Sequence, residues 1–258
     1  MRVNRAGTTL VAERRDGAGA PLVILPGVMA DAASWRPVVD HLALPNPVVV
    51  LNRRGRVPSG PLGHGYSVRT EIDDLHAVLD ALGEPAELFG WSYGGLIALE
   101  AAVERDDLLS VIAYEPVSSP FGTDALEPLR AAEGDLDRAV EIVNRVVSGF
   151  SAEYVAELRQ SPAWPVLRPL AHPLAGELTA LNAHEPAFDR YRDIAAPVTL
   201  LLGEMNEGTA PYGTAFAKFE RALPRARRVV LPGQGHLAHV QGPDVLAEHL
   251  TAAVAPSN

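Results

Sequence analysis

The stretch LFGWSYGGLIALE, residues 88–100, joins an apolar strand-like run to an apolar helical run through a turn centred on Ser92. Glycines stand two residues before and two residues after this serine, at Gly90 and Gly94. A sharp strand-to-helix turn leaves no room for side chains at those positions, and glycine removes them. The pattern is typical of a nucleophile elbow, which exposes the serine hydroxyl. Ser92 is therefore the candidate nucleophile.

Apolar runs that resemble buried strands recur on both sides of this motif and alternate with helical stretches. Continuous runs of this kind are typical of strands buried on both faces of a largely parallel sheet. Alternation of strands and helices with short loops predicts a doubly wound α/β fold. The predicted strands are residues 3–4, 8–13, 21–25, 47–51, 87–91, 108–114, 198–202 and 228–231, and the predicted helices are residues 35–42, 68–82, 93–104, 213–222 and 243–254.

The alternation breaks between residues 117 and 193, which have helical periodicity and no convincing strand. Because strand-like sequence resumes at Val198, we predict that this segment is a helical cap inserted after the sixth strand. The predicted domains are a core of residues 1–116 and 194–258 and a cap of residues 117–193.

A serine hydroxyl is a weak nucleophile until a base takes its proton, so a histidine must meet it in space. Among the eight histidines, His236 follows the last predicted strand in the glycine-rich loop 232–236. Loops at the carboxyl ends of strands are where α/β folds carry their sites. We therefore predict that His236 is the base, with His239 as the weaker competitor.

These features together resemble the α/β-hydrolase family along nearly the whole chain. The stretch NRRGRVPSG, residues 52–60, is similar to the family's Asp-x-Arg-Gly-x-Gly-x-Ser segment. It departs from that segment at Asn52, which replaces the aspartate, and at Val57 and Pro58. The residues 26–27, Pro-Gly, stand where the family often has His-Gly after its third strand.

The resemblance also implies an oxyanion hole built from two backbone N–H groups. One belongs to Tyr93, which follows the nucleophile, and the other belongs to Val28, after the Pro-Gly pair. Donors of this kind typically contribute on the order of 3 kcal/mol each to stabilising the transition state. The side chains of the two residues take no part in that role.

The base needs a carboxylate that holds its tautomer and stabilises the imidazolium. In most α/β-hydrolases this acid follows the penultimate strand, where the present chain has Asn206 between Glu204 and Glu207. Glu115 instead ends an apolar strand beside the nucleophile strand, an arrangement similar to that of haloalkane dehalogenases and zearalenone-type lactonases. A buried carboxylate without a partner is costly, and His236 supplies that partner. We predict Glu115 as the acid, with Glu204, Glu207 and an acid-free dyad as the open alternatives.

Composition narrows the classes of partner. The net charge of −10 argues against nucleic acid, whose phosphates attract basic surfaces, and against anionic membranes. The absence of cysteine excludes disulfides, a thiol nucleophile and thiolate metal sites. No secretory signal or membrane-spanning run is visible, so we expect a cytoplasmic protein, without cofactor or metal, that acts on a small molecule as a monomer or homodimer. The arginine-rich composition, with Lys218 as the single lysine, hints at a GC-rich bacterial genome.

A serine nucleophile, taken with the family resemblance, implies hydrolysis of a carboxylic ester or lactone through an acyl-enzyme. The charge balance favours a small, neutral and moderately apolar substrate. Two alternatives stay open, a lyase that reuses the serine and histidine and a ligand receptor with little turnover. The predicted pocket residues are Met29, Trp91, Phe121 and Trp164, with Phe150 and Tyr154 as further aromatic candidates.

Overall fold

The protein is described by a computed structural model, which covers residues 1–5 and 7–254. Within these residues eight strands form a single sheet, in the spatial order β1-β2-β4-β3-β5-β6-β7-β8. The first two pairings along the sheet, β1 with β2 and β2 with β4, are antiparallel, and all the others are parallel. The strands are β1 (Arg2–Arg5), β2 (Thr8–Arg15), β3 (Leu22–Leu25), β4 (Val48–Asn52), β5 (Ala86–Trp91), β6 (Leu108–Tyr114), β7 (Val198–Gly203) and β8 (Arg227–Leu231).

Helices connect the parallel strands and fill both faces of the sheet. The α-helices are α1 (Arg36–His41), α2 (Val68–Leu82), α3 (Tyr93–Ala102), α4 (Leu126–Ala131), α5 (Leu136–Ile142), α6 (Ala152–Gln160), α7 (Trp164–Leu170), α8 (Leu174–Ala183), α9 (Tyr212–Ala222), α10 (Ala238–Gln241) and α11 (Pro243–Ala253). This is the predicted doubly wound α/β architecture, and the predicted strands and helices are confirmed with ends that differ by a few residues.

Each central strand contributes side chains to two hydrophobic cores, because successive side chains point to opposite faces of the sheet. In β3, Leu22 and Ile24 pack into the core that also contains residues of α1 and α11. Val23 and Leu25 pack into the larger core on the other face, with residues of α2, α3 and α9. Burial on both faces explains why these strands are continuous apolar runs in the sequence.

Helix α2 is one of the elements that support the site, and local sequence determines where it begins and ends. Ser67 and Thr70 form a capping box at its amino end, and Gly83 ends it in a left-handed conformation with φ of 72°. Ile72 and Leu75 lie on its buried face, as the helical spacing predicts.

Helices and turns occupy the chain between β6 and β7, and residues 117–193 contain no strand. The end of this inserted segment is fastened to α3 of the core by Glu100. The carboxylate of Glu100 accepts a 2.9 Å hydrogen bond from the Ala187 N–H and a 2.5 Å hydrogen bond from the Tyr191 hydroxyl. The boundaries of a separate cap domain at residues 117 and 193 stay a prediction.

Candidate active site

The carboxyl ends of the parallel strands bring the predicted site residues to one edge of the sheet. Ser92 follows β5 directly, and its N–H donates to the carbonyl of Tyr114 at the end of β6, at 2.9 Å. Glu115 follows β6, and His236 lies in the loop after β8. The indole N–H of Trp91, at the end of β5, donates to the carbonyl of His236 at 2.9 Å. The end of β5 is therefore in direct contact with the loop between β8 and α10 that contains His236, which we call the histidine loop.

The elbow has the close packing that its glycines predict. Ser92 has φ of 57° and ψ of −119°, and α3 begins at the next residue. A Cβ atom on Gly94 would lie 2.1 Å from the carbonyl oxygen of Leu25, and one on Gly90 would lie 2.3 Å from that of Gly94. Only glycine fits at these two positions.

Backbone strain is concentrated at this site. Across residues 1–5 and 7–254, the residues other than glycine with positive φ are Met29 at 57°, Ser92 at 57° and Glu115 at 43°. Such conformations are costly for residues with a side chain, and they cluster where function requires them. The three strained residues follow the carboxyl ends of β3, β5 and β6, which lie at the same edge of the sheet.

Glu115 is the carboxylate that contacts His236. Its Oε2 lies 2.6 Å from Nδ1 of His236, and its side chain is completely buried. Oε1 accepts a 2.8 Å hydrogen bond from the N–H of Gly203, and the side-chain amide of Asn206 donates to both oxygens at 2.9 Å. These neutral donors compensate the buried carboxylate and fix its orientation.

The two alternative acids are engaged elsewhere. Glu204 accepts a 2.7 Å hydrogen bond from the N–H of Gly233, and Glu207 pairs with Arg228 on the surface. Neither carboxylate contacts His236.

The imidazole of His236 is held from several sides. The ring of Tyr212, the first residue of α9, stacks on it with centroids 3.5 Å apart and planes 11° from parallel. The Tyr212 hydroxyl lies 3.0 Å from Oγ of Ser148, which belongs to the inserted segment. Sequence reasoning missed Tyr212, because nothing in its local pattern separates it from an ordinary aromatic residue at the start of a helix.

His239, the competing base, lies in the core that contains α1 and α11. Its ring stacks on Trp35 at 5.1 Å and contacts Trp91 at 4.2 Å. Burial, reinforced by the nearby His236, lowers the pKa of His239 to about 3, so the ring stays neutral. His239 therefore has a packing role next to the histidine loop. The histidine that contacts Glu115 is His236.

The loop that follows β3 lies against the elbow. A Cβ atom on Gly27 would lie 2.9 Å from Cβ of Ser92, so this backbone approaches the serine as closely as it can. Within the described chain, the N–H groups of Val28 and Tyr93 donate to no protein acceptor. The Tyr93 N–H stands at the first turn of α3, where the helix dipole favours negative charge.

Side-chain contacts hold the end of β4 and the segment that follows it. The Asn52 side chain accepts a 2.9 Å hydrogen bond from the N–H of Ala32, so the amide that replaces the family's aspartate has a structural partner. Ser59 donates to the carbonyl of Asn52 at 2.6 Å. Arg54 and Asp74 form a buried ion pair with two hydrogen bonds, of 2.6 and 2.7 Å.

The predicted pocket residues divide into two groups. Phe121 is nearly buried, and its ring lies 5.8 Å from that of Tyr212, while Met29 is partly buried in the strained loop. Trp91 is instead packed in the core on the α1 side of the sheet, since it alternates along β5 with residues of the opposite face. Trp164 lies within the inserted segment, where its indole N–H donates to Asp137 at 2.6 Å. The Trp91 ring also lies 4.9 Å from that of His236, and a pocket role for the two tryptophans stays a prediction.

Phe150 and Tyr154 pack against each other in the inserted segment, with ring centroids 4.7 Å apart. The described residues contain no cluster of His, Asp and Glu able to bind a metal ion. Likewise, no helix in that part of the chain has the length and apolar character needed to cross a membrane.

A mostly parallel sheet with a serine elbow, and a histidine–glutamate pair on the neighbouring loops, defines an α/β-hydrolase. The sequence profile of the alpha/beta hydrolase family matches residues 22–249, and the chain belongs to that family. It is similar to a 2-(acetamidomethylene)succinate hydrolase of Mesorhizobium japonicum, with 27% identity over 249 residues that cover 92% of this chain and 89% of that protein.

Two further relatives extend the comparison. A pimeloyl-(acyl-carrier protein) methyl ester esterase of Pectobacterium carotovorum is 27% identical over 250 residues, which cover 92% of this chain and 95% of that protein. The crystal structure of an alpha/beta hydrolase from Sphaerobacter thermophilus is 28% identical, with a TM-score of 0.82 over 98% of this chain and 99% of that one.

Proposed function

We propose that the protein is a serine hydrolase that cleaves a small, neutral, moderately apolar ester or lactone through an acyl-enzyme. Ser92 attacks the carbonyl carbon, and His236 takes the serine proton and later returns it to the leaving oxygen. Glu115 holds the histidine tautomer, and the N–H groups of Val28 and Tyr93 bind the developing oxyanion. Water then releases the acid, with His236 again as the base.

The observation that carries this proposal is the 2.6 Å contact between His236 and the buried Glu115, beside the strained elbow of Ser92. A buried carboxylate stabilises a neighbouring imidazolium, which forms only when the histidine takes up a proton. This arrangement gives no advantage to a protein that only binds a ligand. It does stabilise a base that must be charged in the transition state.

Two features of the site support a small neutral substrate. Ser92 and His236 are 3% and 7% exposed, so the reacting groups lie in a confined space. The two buried arginines that contact residues 26–30, Arg53 and Arg56, are already paired with Glu71 and Glu177. No positive charge is therefore left over there for an anionic substrate.

The test combines active-site labelling with product analysis. We expect a fluorophosphonate probe to label the wild type and to leave Ser92→Ala unlabelled. Hydrolysis of short-chain p-nitrophenyl esters or of γ- and δ-lactones in H₂¹⁸O should place ¹⁸O in the acid product, because water attacks the acyl-enzyme. Absence of labelling in the folded wild type contradicts the activated serine. A product formed without solvent oxygen points to the lyase alternative.

A further inference from the structure

Four charged side chains are buried together between the core and the inserted segment. Arg53 and Arg56 come from the loop after β4, Glu71 from α2 and Glu177 from α8. Their exposed fractions are 0%, 1%, 1% and 0%. Removing charges from water is costly, so such a group persists only where its contacts are geometrically favourable.

The two arginines bind the backbone carbonyls of the oxyanion loop, which we define as residues 26–30. Arg53 donates to the carbonyls of Pro26 and Gly27, at 2.8 and 2.9 Å. Arg56 donates to the carbonyl of Ala30 at 2.7 Å. Both guanidinium groups therefore lie on the side of the loop to which its carbonyls point.

Holding the Gly27 carbonyl fixes the direction of the Val28 N–H, because both belong to one planar peptide unit. In a trans peptide the C=O and the N–H point in opposite directions. A cation on the carbonyl also polarises the peptide and strengthens its N–H as a donor. The guanidinium of Arg53 lies 4.9 Å from the ring centroid of Tyr93, whose N–H is the other proposed oxyanion donor.

Glu177 connects these arginines to the inserted segment. Its carboxylate accepts two hydrogen bonds from Arg56, at 2.7 and 2.9 Å, and lies 2.6 Å from Nη2 of Arg53. Burial alone raises the pKa of Glu177, but the charges of Arg53 and Arg56 outweigh it and lower the pKa below its ordinary value. The glutamate is therefore ionised, and α8 is tied to the oxyanion loop through both arginines.

We propose that Arg53, Arg56 and Glu177 form a clamp that orients the Val28 N–H and makes oxyanion binding depend on the position of helix α8. The catalytic part of this inference rests on the proposed hydrolase function. The clamp residues are positioning residues, since their polar atoms are occupied by the loop carbonyls, by each other and, for Arg53, by Glu71. A substrate reaching the site would meet the backbone that they hold.

The neighbouring pair of Arg54 and Asp74 offers a matched control. Like the pair of Arg53 and Glu71, it joins the loop after β4 to helix α2. Asp74 is buried to the same degree as Glu71. Arg54 also donates to the carbonyl of Leu62, and it makes no hydrogen bond to the oxyanion loop. Asp74→Asn therefore weakens a buried ion pair without releasing a carbonyl of residues 26–30.

The experiment compares Glu177→Gln with Asp74→Asn in the full chain. We expect Glu177→Gln to lower kcat about 10- to 100-fold, with KM changed less than about twofold, because a displaced oxyanion donor acts mainly on the transition state. Hydrogen–deuterium exchange of peptides that cover residues 26–31 should become faster in Glu177→Gln. Asp74→Asn should leave both kcat and this exchange close to the wild type.

A double variant, Arg56→Met with Glu177→Met, keeps the test valid if Glu177→Gln does not fold. It removes one charge of each sign, and replacing a buried pair by apolar residues is often neutral for stability. It should show the same loss of kcat and the same faster exchange. Unchanged exchange in both Glu177 variants, or an equal loss of kcat in Asp74→Asn, overturns the clamp. Because exchange needs no substrate, it tests the clamp even if Ser92 proves unreactive.

Discussion

Asn206 donates to both carboxylate oxygens of Glu115, and this contact leads to a prediction about charge at the site. In Asn206→Asp, two carboxylates would lie within about 3 Å, where they cannot both be ionised without a large repulsion. We expect kcat/KM at pH 7 to fall about 10-fold or more, because the shared proton disturbs the partner of His236. Asn4→Asp, which adds the same charge on the exposed strand β1, should leave kcat/KM within twofold of the wild type. Equal activity of the two variants contradicts the assigned contact.

The identity of the triad acid gives a second prediction at this scale. Glu115→Gln keeps the shape of the side chain but removes the charge that stabilises the imidazolium. We expect kcat to fall on the order of 10³- to 10⁴-fold, with little change in KM. Glu204→Gln and Glu207→Gln remove carboxylates that bind Gly233 and Arg228 instead, and they should keep kcat within a few-fold. Steady-state kinetics on the best p-nitrophenyl ester measure kcat for all three variants. If only Glu207→Gln lost its kcat, the acid would be Glu207, which follows β7.

At the scale of elements, the start of α9 acts on the histidine loop through the stacked ring of Tyr212. Tyr212→Phe keeps the stacking and loses only the hydroxyl contact with Ser148, so kcat should stay within about threefold of the wild type. Tyr212→Leu removes the aromatic face, which is worth about 1 kcal/mol, so kcat should fall about fivefold or more. Phe216→Leu, on the same helix but within its buried core face, is the matched control for lost packing. Equal kcat values for Tyr212→Phe and Tyr212→Leu contradict a stacking role.

Local sequence predicts those parts of the structure that depend on neighbours along the chain. The strands can be predicted because burial on both faces requires continuous apolar runs. The elbow can be predicted because only glycine fits two residues before and after Ser92. Glu115 can be found because a carboxylate that ends an apolar strand needs a partner. The pocket role predicted for Trp91 stays a prediction, because its ring packs with Phe89 in the core on the α1 side and also contacts His236.

Contacts between distant parts of the chain are what the sequence does not reveal. Arg53 and Arg56 look like a basic loop in an acidic protein, and their common partner Glu177 is 121 residues beyond Arg56. No local pattern distinguishes such arginines from solvated ones, because only the folded chain decides which charges are buried. Tyr212 was missed for the same reason.

At the scale of the whole molecule, the inserted segment meets the core through two buried acidic groups. Glu177 ties α8 to the oxyanion loop, and Glu100 fastens the returning chain to α3. Burial opposes ionisation of Glu100, but the imidazole of His184, 3.4 Å away, and the hydrogen bonds from the Tyr191 hydroxyl and the Ala187 N–H outweigh it and lower its pKa. The segment is thereby fixed at two places by ionised carboxylates. Its position relative to the oxyanion loop is thus set by charge pairing as well as by apolar packing.

The buried His239 makes the stability of the whole molecule depend on pH. Its pKa is lowered to about 3 by burial and by the neighbouring His236, whereas an unfolded histidine takes up a proton below about pH 6.5. The unfolded state therefore binds more protons between these values, and the free energy of unfolding decreases as pH falls from about 6.5 towards 3. Between pH 8 and pH 5 this one group should account for a loss of about 2 kcal/mol.

The variant His239→Phe keeps an aromatic ring between Trp35 and Trp91 and removes the titration. We expect urea unfolding at pH 8 and pH 5 to show a smaller loss of unfolding free energy in this variant than in the wild type. His64→Gln, which changes an exposed histidine, should retain the wild-type difference. Comparing each protein with itself at two pH values cancels any general loss of stability caused by the larger phenylalanine ring. The same pH dependence in His239→Phe as in the wild type would mean that another buried group, and not His239, carries the acid sensitivity.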